Sequence, residues 1–225
     1  MGRVARARLC AIALKDAAFV YHEGMDPEVD LVCRTIQSLR PRTLEDSLAR
    51  AAVLMPLLER PDGLCLLMTK WTQNVRYHKG QISFPGGARE GAESLEETAL
   101  RETFEEICIA PAQVRLLGRF HDYLSSSNFR VTPFVALISP DARPRVCSPE
   151  VDYLLEVPLT FFHTNEPEAR ALERRGRPIT VYFYHRDGEV IWGLTARIIK
   201  EFVDELGRAV GDKRSSGRPE DFGEW

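Results

Sequence analysis

The sequence predicts an α+β fold, and three observations carry that expectation. Apolar runs of strand length come in adjacent pairs, helical periodicity is confined to widely separated segments, and the two do not alternate as regular βαβ units would. The 225 residues suit one ordinary domain with extensions, and 44% hydrophobic with 28% charged residues exclude bulk disorder and fibrous repeats.

Taken in order, residues 1–24 give no firm period, whereas Pro27–Leu39 places Val29, Val32, Cys33 and Ile36 near a 3.6-residue repeat and reads as a helix. Ala51–Leu58 and Leu64–Lys70 flank the turn Pro61-Asp62-Gly63 and form a hairpin. Further strands are expected at Gln81–Phe84, Val114–Phe120, Phe129–Ile138, Leu155–Leu159 and Ile179–His185, and further helices at Ser94–Ile107 and Leu194–Leu206. Arg143–Pro149 and Thr164–Pro178 read as proline-punctuated loops. The expected organisation is an extension over 1–47 whose helix packs on the main domain, a domain over 48–210, and a hydrophilic, flexible tail over 211–225.

Composition narrows the partners. Thirty basic against thirty-three acidic side chains give a net charge of −3, which offers no field for wrapping a polyanion, so nucleic acid is not expected. No apolar run approaches the roughly eighteen residues that span a bilayer, and no membrane association is expected. Cys10, Cys33, Cys65, Cys108 and Cys147 are odd in number and widely spaced, which suggests neither a disulfide framework nor a zinc site and fits a reducing, cytoplasmic setting. Arg3, Arg6, Arg8 and Lys15 in an Ala-rich stretch leave an organellar transit segment as the alternative.

The chemistry is concentrated where a glycine-rich loop, Gly86-Gly87-Ala88-Arg89-Glu90-Gly91, enters a helix. Ser94 and Glu97 have the spacing of a capping box, which sets the helix start and lets its faces be counted at about 100° per residue. Ala99, Leu100, Thr103, Phe104 and Ile107 then form a core stripe, and Glu102, Glu105 and Glu106 cluster on the other face. Like charges at these spacings destabilise a helix, more so near its C-terminal end. Arg101, four residues from both Glu97 and Glu105, can neutralise them in part; a hard divalent cation resolves the repulsion more fully and brings phosphate with it.

Gly87, Glu93, Arg101, Glu102, Glu105 and Glu106 fall at the spacing G-x5-E-x7-R-E-U-x-E-E-x-G-U, and the segment resembles the box of the Nudix hydrolases. Thr103 stands at its first hydrophobic position and Cys108 at its glycine. The stretch Leu67–Gly87 is similar to a second signature, LLTxR[SA]x3Rx3Gx3FPGG, of the coenzyme A pyrophosphatases within that family. Arg76, Gly80, Phe84, Pro85, Gly86 and Gly87 are in register, while Met68, Trp71 and Thr72 depart from it. Val190–Ile198 is similar to the strand-to-helix sequence that follows the last strand in the same subgroup.

The resemblance implies the Nudix fold, an α/β/α sandwich with a mixed sheet, and hydrolysis of the diphosphate bond of CoA or a derivative to 3′,5′-ADP and 4′-phosphopantetheine or its acyl form. It implies Mg²⁺ or Mn²⁺ on Glu102, Glu106, Glu105 and Gly87, with Arg101 in the catalytic set, Glu105 a candidate base, and Glu93 and Gly86 in support. Arg76, His78 and Lys79 are cationic groups suited to the substrate's phosphates. Trp71, Tyr77, Trp192, His121, His163 and His185 are assigned no role. The alternatives are another nucleoside diphosphate derivative, such as ADP-ribose or NADH, and a non-catalytic nucleotide sensor; the small-molecule ligand is common to all three, and oligomeric state is left open.

Overall fold

Asp26 starts the first helix by accepting the Glu28 N–H at 2.8 Å, and Pro27 occupies the first turn where no donor is needed. The computed structural model describes residues 26–45, 47–74, 79–174 and 177–211. In chain order its elements are α1 (Pro27–Ser38), β1 (Ala49–Arg60), β2 (Gly63–Trp71), β3 (Ile82–Ser83), β4 (Gly86–Ala88), α2 (Leu95–Ile107), β5 (Val114–Arg119), β6 (Tyr123–Leu124), β7 (Phe129–Ile138), β8 (Val151–Pro158), α3 (Leu159–Thr164), β9 (Glu168–Arg174), β10 (Arg177–Arg186), β11 (Glu189–Trp192) and α4 (Gly193–Ala209).

The larger sheet runs β3-β2-β1-β7-β5, with β4 also on β1, β6 on β7 and β8 on β2. It is mixed: β1 and β7 are parallel from Ala49↔Phe129 to Leu57↔Leu137, and the other pairs are antiparallel. Side chains alternate across it. Met55, Leu57, Leu66, Met68, Val135 and Leu137 face Val32 and Ile36 of α1 and Ile199 and Phe202 of α4. Ala52, Leu54, Leu67, Phe134 and Ala136 face Ala99 and Ile107 of α2. Helices on both faces of a mixed sheet make the expected α/β/α sandwich, and β11-β10-β9 form a smaller sheet beside it. Glu28 of α1 accepts the Leu64 N–H at 2.6 Å, tying the helix to the start of β2.

Three readings are corrected. Thr164–Pro178 is not all loop: Glu168–Arg174 is strand β9, paired with β10. Its Glu-Ala-Arg-Ala-Leu-Glu-Arg sequence has no strand signal, because it lies at a sheet edge with residues 168–173 exposed, so a non-local backbone partner decides its state. Leu159 begins the short helix α3 rather than ending the preceding strand, which spans Val151–Pro158. Cys108 and Cys147 form a disulfide across 39 residues, with Cα atoms 5.8 Å apart. No spacing motif announces that pair, since only the return of the 143–149 loop to the end of α2 makes them neighbours. Cys33 and Cys65 are buried thiols.

Candidate active site

The glycine turn is built on the sheet. Strand β4 pairs with β1 through Val53↔Gly86, Ala52↔Gly87 and Ala51↔Ala88, and the Leu54 N–H donates to the Pro85 carbonyl at 2.9 Å. Gly86 has φ +154°, and a Cβ there would stand 2.3 Å from the Ala52 carbonyl oxygen. At Gly87 a Cβ would fall 2.4 Å from Glu102 Oε1, so the missing side chain is the space that the carboxylate occupies.

Helix α2 begins with the capping box its sequence predicts: the Glu97 N–H donates to Ser94 Oγ at 3.1 Å and the Ser94 N–H to Glu97 Oε2 at 2.7 Å. Its buried stripe is rotated from the one expected. Thr98, Ala99, Leu100, Thr103, Glu106 and Ile107 are buried, whereas Phe104 is 50% exposed. Phe104 sits at the far edge of the apolar arc and Glu106 at the near edge, and the sheet covers the near side together with the glycine turn. Thr103 fits a hydrophobic position because its hydroxyl donates to the Ala99 carbonyl at 2.7 Å.

Arg101 gathers the carboxylates. Its guanidinium meets Glu93 Oε1 at 2.9 Å, Glu102 Oε1 at 2.8 Å, Glu105 Oε2 at 3.3 Å and the Ala88 carbonyl at 3.2 Å. Glu97, engaged in the capping box, is not among these partners. Glu93 also accepts the Glu90 N–H at 2.7 Å and the Thr98 hydroxyl at 2.9 Å, so loop and helix are laced together. Burial pushes Glu93 upward, but Arg101, the Glu90 N–H and Thr98 outweigh it and hold the carboxyl below its ordinary value.

The two inner carboxylates shift the other way from Glu93, both upward. Burial raises Glu102 despite Arg101 beside it. Glu106 is pushed up to about 8, first by burial and then by the Glu102 charge; the Gly86 N–H, 3.5 Å away, opposes this weakly, and Glu150 and Glu105 add to it. Its Oε2 atom is buried with no hydrogen-bond partner. Among the described residues no three His, Cys, Asp or Glu side chains converge into a closed metal shell. Yet a buried carboxylate with an orphaned oxygen, a second carboxylate held close by a glycine, and Glu105 at their edge are the hard oxygen donors that a divalent cation takes, and the residues fit such an ion.

Of the residues expected at the substrate's phosphates, Lys79 is exposed, and Arg76 and His78 lie outside the described residues. Two nearby features went unread in the sequence. Glu150, just before β8, takes the Thr72 N–H on its carbonyl at 2.9 Å and acts electrostatically on Glu106. Trp71 donates its indole N–H to Ser83 Oγ at 2.7 Å on the strand that leads into the glycine turn. No spacing signals either, because both depend on strand pairing between distant segments. Away from this site, His121 accepts the Arg42 N–H at 3.0 Å, His185 meets Glu168 at 3.2 Å, and Trp192 stacks on Phe183.

The pattern of the NUDIX domain family matches residues 48–180, more than half of the chain. The chain belongs to the Nudix hydrolase family. The Nudix match takes in β1 to the start of β10, including the glycine turn and α2, and leaves α1 and α4 outside it. Relatives carrying the name "Uncharacterized Nudix hydrolase NudL" include one from Enterobacter sp. (strain 638), 36% identical over 189 residues, which cover 82% of this chain and 98% of that protein. Another, from Photorhabdus laumondii, is 36% identical over 168 residues, covering 74% and 89%. Among solved structures, the MutT protein from Methanosarcina mazei Go1 aligns with 18% identity over 75% of this chain and 99% of that one, with a TM-score of 0.48. Among the described residues no helix is long and apolar enough to cross a membrane.

Proposed function

We propose that this Nudix hydrolase cleaves the diphosphate bond of a nucleoside diphosphate derivative with Mg²⁺ or Mn²⁺, and that its substrate is CoA or a CoA derivative. The observation that carries the hydrolytic reading is the buried Glu106 carboxylate with an unpartnered oxygen beside Glu102, both set against a turn that only glycine can make.

Glu102 and Glu106 would hold the cation, with Glu105 and the Gly87 carbonyl at its margin. When bound, the cation offsets diphosphate charge and lowers the pKa of a coordinated water. The protein's own part is positioning. Gly86 and Gly87 bring backbone groups close to the phosphates, and Arg101 holds Glu102, Glu105 and Glu93 so that the helix and loop keep one geometry. Glu105, about half exposed and touched by Arg101 at 3.3 Å, is the carboxylate best able to take a proton from solvent-side water. The retained carboxylate set favours an enzyme over a nucleotide sensor.

The CoA reading rests on the similarity of Arg76, Gly80 and Phe84–Gly87 to the coenzyme A signature. A second reading, ADP-ribose or NADH as substrate, is favoured by Trp71, an indole pinned by Ser83 where that signature carries an arginine. The test is purified protein with Mg²⁺ and CoA, ADP-ribose or NADH, products identified by mass, with Glu106→Gln as control. Expected are 3′,5′-ADP and phosphopantetheine, both absent with the variant. Turnover of ADP-ribose or NADH alone refutes the CoA assignment, and no turnover of any substrate refutes the enzyme.

A further inference from the structure

The disulfide lies at the end of the helix that presents Glu105 and Glu106. Cys108 caps α2 in the left-handed conformation, φ 56° and ψ 29°, with its N–H on the Phe104 carbonyl at 3.0 Å. A side chain there costs about 1 kcal/mol relative to glycine, so the backbone alone favours glycine and what cysteine adds is its sulfur. That sulfur crosses to Cys147, in a loop that also closes over the helix end: the Arg145 N–H donates to the Ile107 carbonyl at 3.1 Å and the Cys147 N–H to the Glu106 carbonyl at 2.9 Å. Two carbonyls that the helix leaves unsatisfied are thus covered by the loop.

The same loop carries Glu150. Its N–H donates to Ser148 Oγ at 3.2 Å and its carbonyl accepts the Thr72 N–H, so the far end of the loop is tied to the end of β2 while its near end is tied to the Glu106 and Ile107 carbonyls. We infer that the Cys108–Cys147 disulfide is a positioning element of this site: it clamps the 145–147 segment to the end of the box helix, two residues beyond Glu106, so that reduction by a dithiol lowers turnover reversibly. The inference rests on the hydrolase reading above.

Cys147 is exposed and Cys108 half-buried, so a small dithiol reaches the bond. One reductant thiolate attacks a cysteine sulfur to form a mixed disulfide, and the second thiol displaces it. The protein S–S bond breaks as an S–S bond forms in the reductant; two electrons pass to the protein sulfurs, which leave as two thiols carrying the reductant's two protons. What then holds the loop to the helix end is a pair of backbone hydrogen bonds, a weaker restraint than the cross-link.

The experiment uses the whole chain, oxidised or treated with dithiothreitol, with cross-link state read by alkylation and mass. Hydrogen exchange of peptides over 143–150 is followed beside kcat and KM. Reduction should speed exchange of the Arg145 and Cys147 amides and lower kcat by about tenfold, the usual size of a lost supporting contact at a metal-carboxylate site, with recovery on reoxidation. Cys108→Gly keeps a residue suited to the cap and should fold, yet turn over at the reduced rate with or without dithiothreitol; Cys147→Ser should match it. The fall should sit in kcat with KM nearly unchanged, a split that a merely structural cross-link does not predict. Cys108 and Cys147 found alkylated in the unreduced protein, unchanged exchange on reduction, or turnover indifferent to a verified reduction each overturns the inference alone. Turnover absent in every redox state overturns the hydrolase reading and this inference together, while alkylation and exchange still report on the clamp.

Discussion

Replacing Glu106 with glutamine should make the metal-free protein more stable while removing its activity. Glu106 takes up its proton near pH 8 when folded and near 4.5 otherwise. Because the folded value is the higher one, unfolding releases a proton between those limits, and stability falls as pH rises from about 4.5 to about 8. At about 1.4 kcal/mol for every tenfold in proton affinity, the loss reaches about 3 kcal/mol at pH 7. Glutamine keeps an acceptor for the Gly86 N–H and keeps the shape, but its carboxamide carries its own burial cost, so a net gain of about 1–2 kcal/mol is expected. That is about 2–8 °C in Tm for a domain of this size. The assay is thermal unfolding at pH 7 in a chelator, repeated with excess Mg²⁺. Wild type should gain from the cation by binding linkage and the variant should not, and the variant's turnover should fall at least about a hundredfold. A lower Tm in chelator, or turnover within about tenfold of wild type, would refute the reasoning.

Further perturbations separate the roles. Gly87→Ala places a Cβ where Glu102 Oε1 lies, 2.4 Å away, and should cut turnover by about tenfold or more with a small change in Tm, measured by steady-state kinetics and melting in parallel. Glu93, held below its ordinary value, contributes stability that is full above about pH 4.5 and is lost as pH falls through its depressed folded value; Glu93→Gln should flatten the acid limb of a Tm–pH profile between pH 3 and 5. Glu201, on α4, accepts from Arg42, from Arg197 at 3.0 Å and from the Tyr123 hydroxyl at 3.0 Å; Glu201→Ala strands these donors and should cost about 3 kcal/mol in urea unfolding while leaving KM unchanged below the transition.

What could be read from the chain alone is what depends on neighbours in sequence. The capping box at Ser94 and Glu97, the hairpin turn at Pro61–Gly63, the period of α1, the apolar run of β7 and the spacing of the carboxylate helix are local, because each rests on residues close together in the chain. Those same patterns led to the Nudix resemblance, and the sandwich followed from it.

Tertiary structure decided the rest. Glu106 and Phe104 lie at opposite edges of one apolar arc, and only the packed glycine turn determines that the glutamate is buried and the aromatic ring exposed. β9 is a strand because β10 is beside it, against the leaning of its own sequence. Cys108 and Cys147 pair, and the Cys147 N–H covers the Glu106 carbonyl, because a loop 39 residues away returns to the helix end. Burial, long-range pairing and the charge on a desolvated carboxylate depend on atoms from distant parts of the chain, and one-dimensional periodicity carries no record of them.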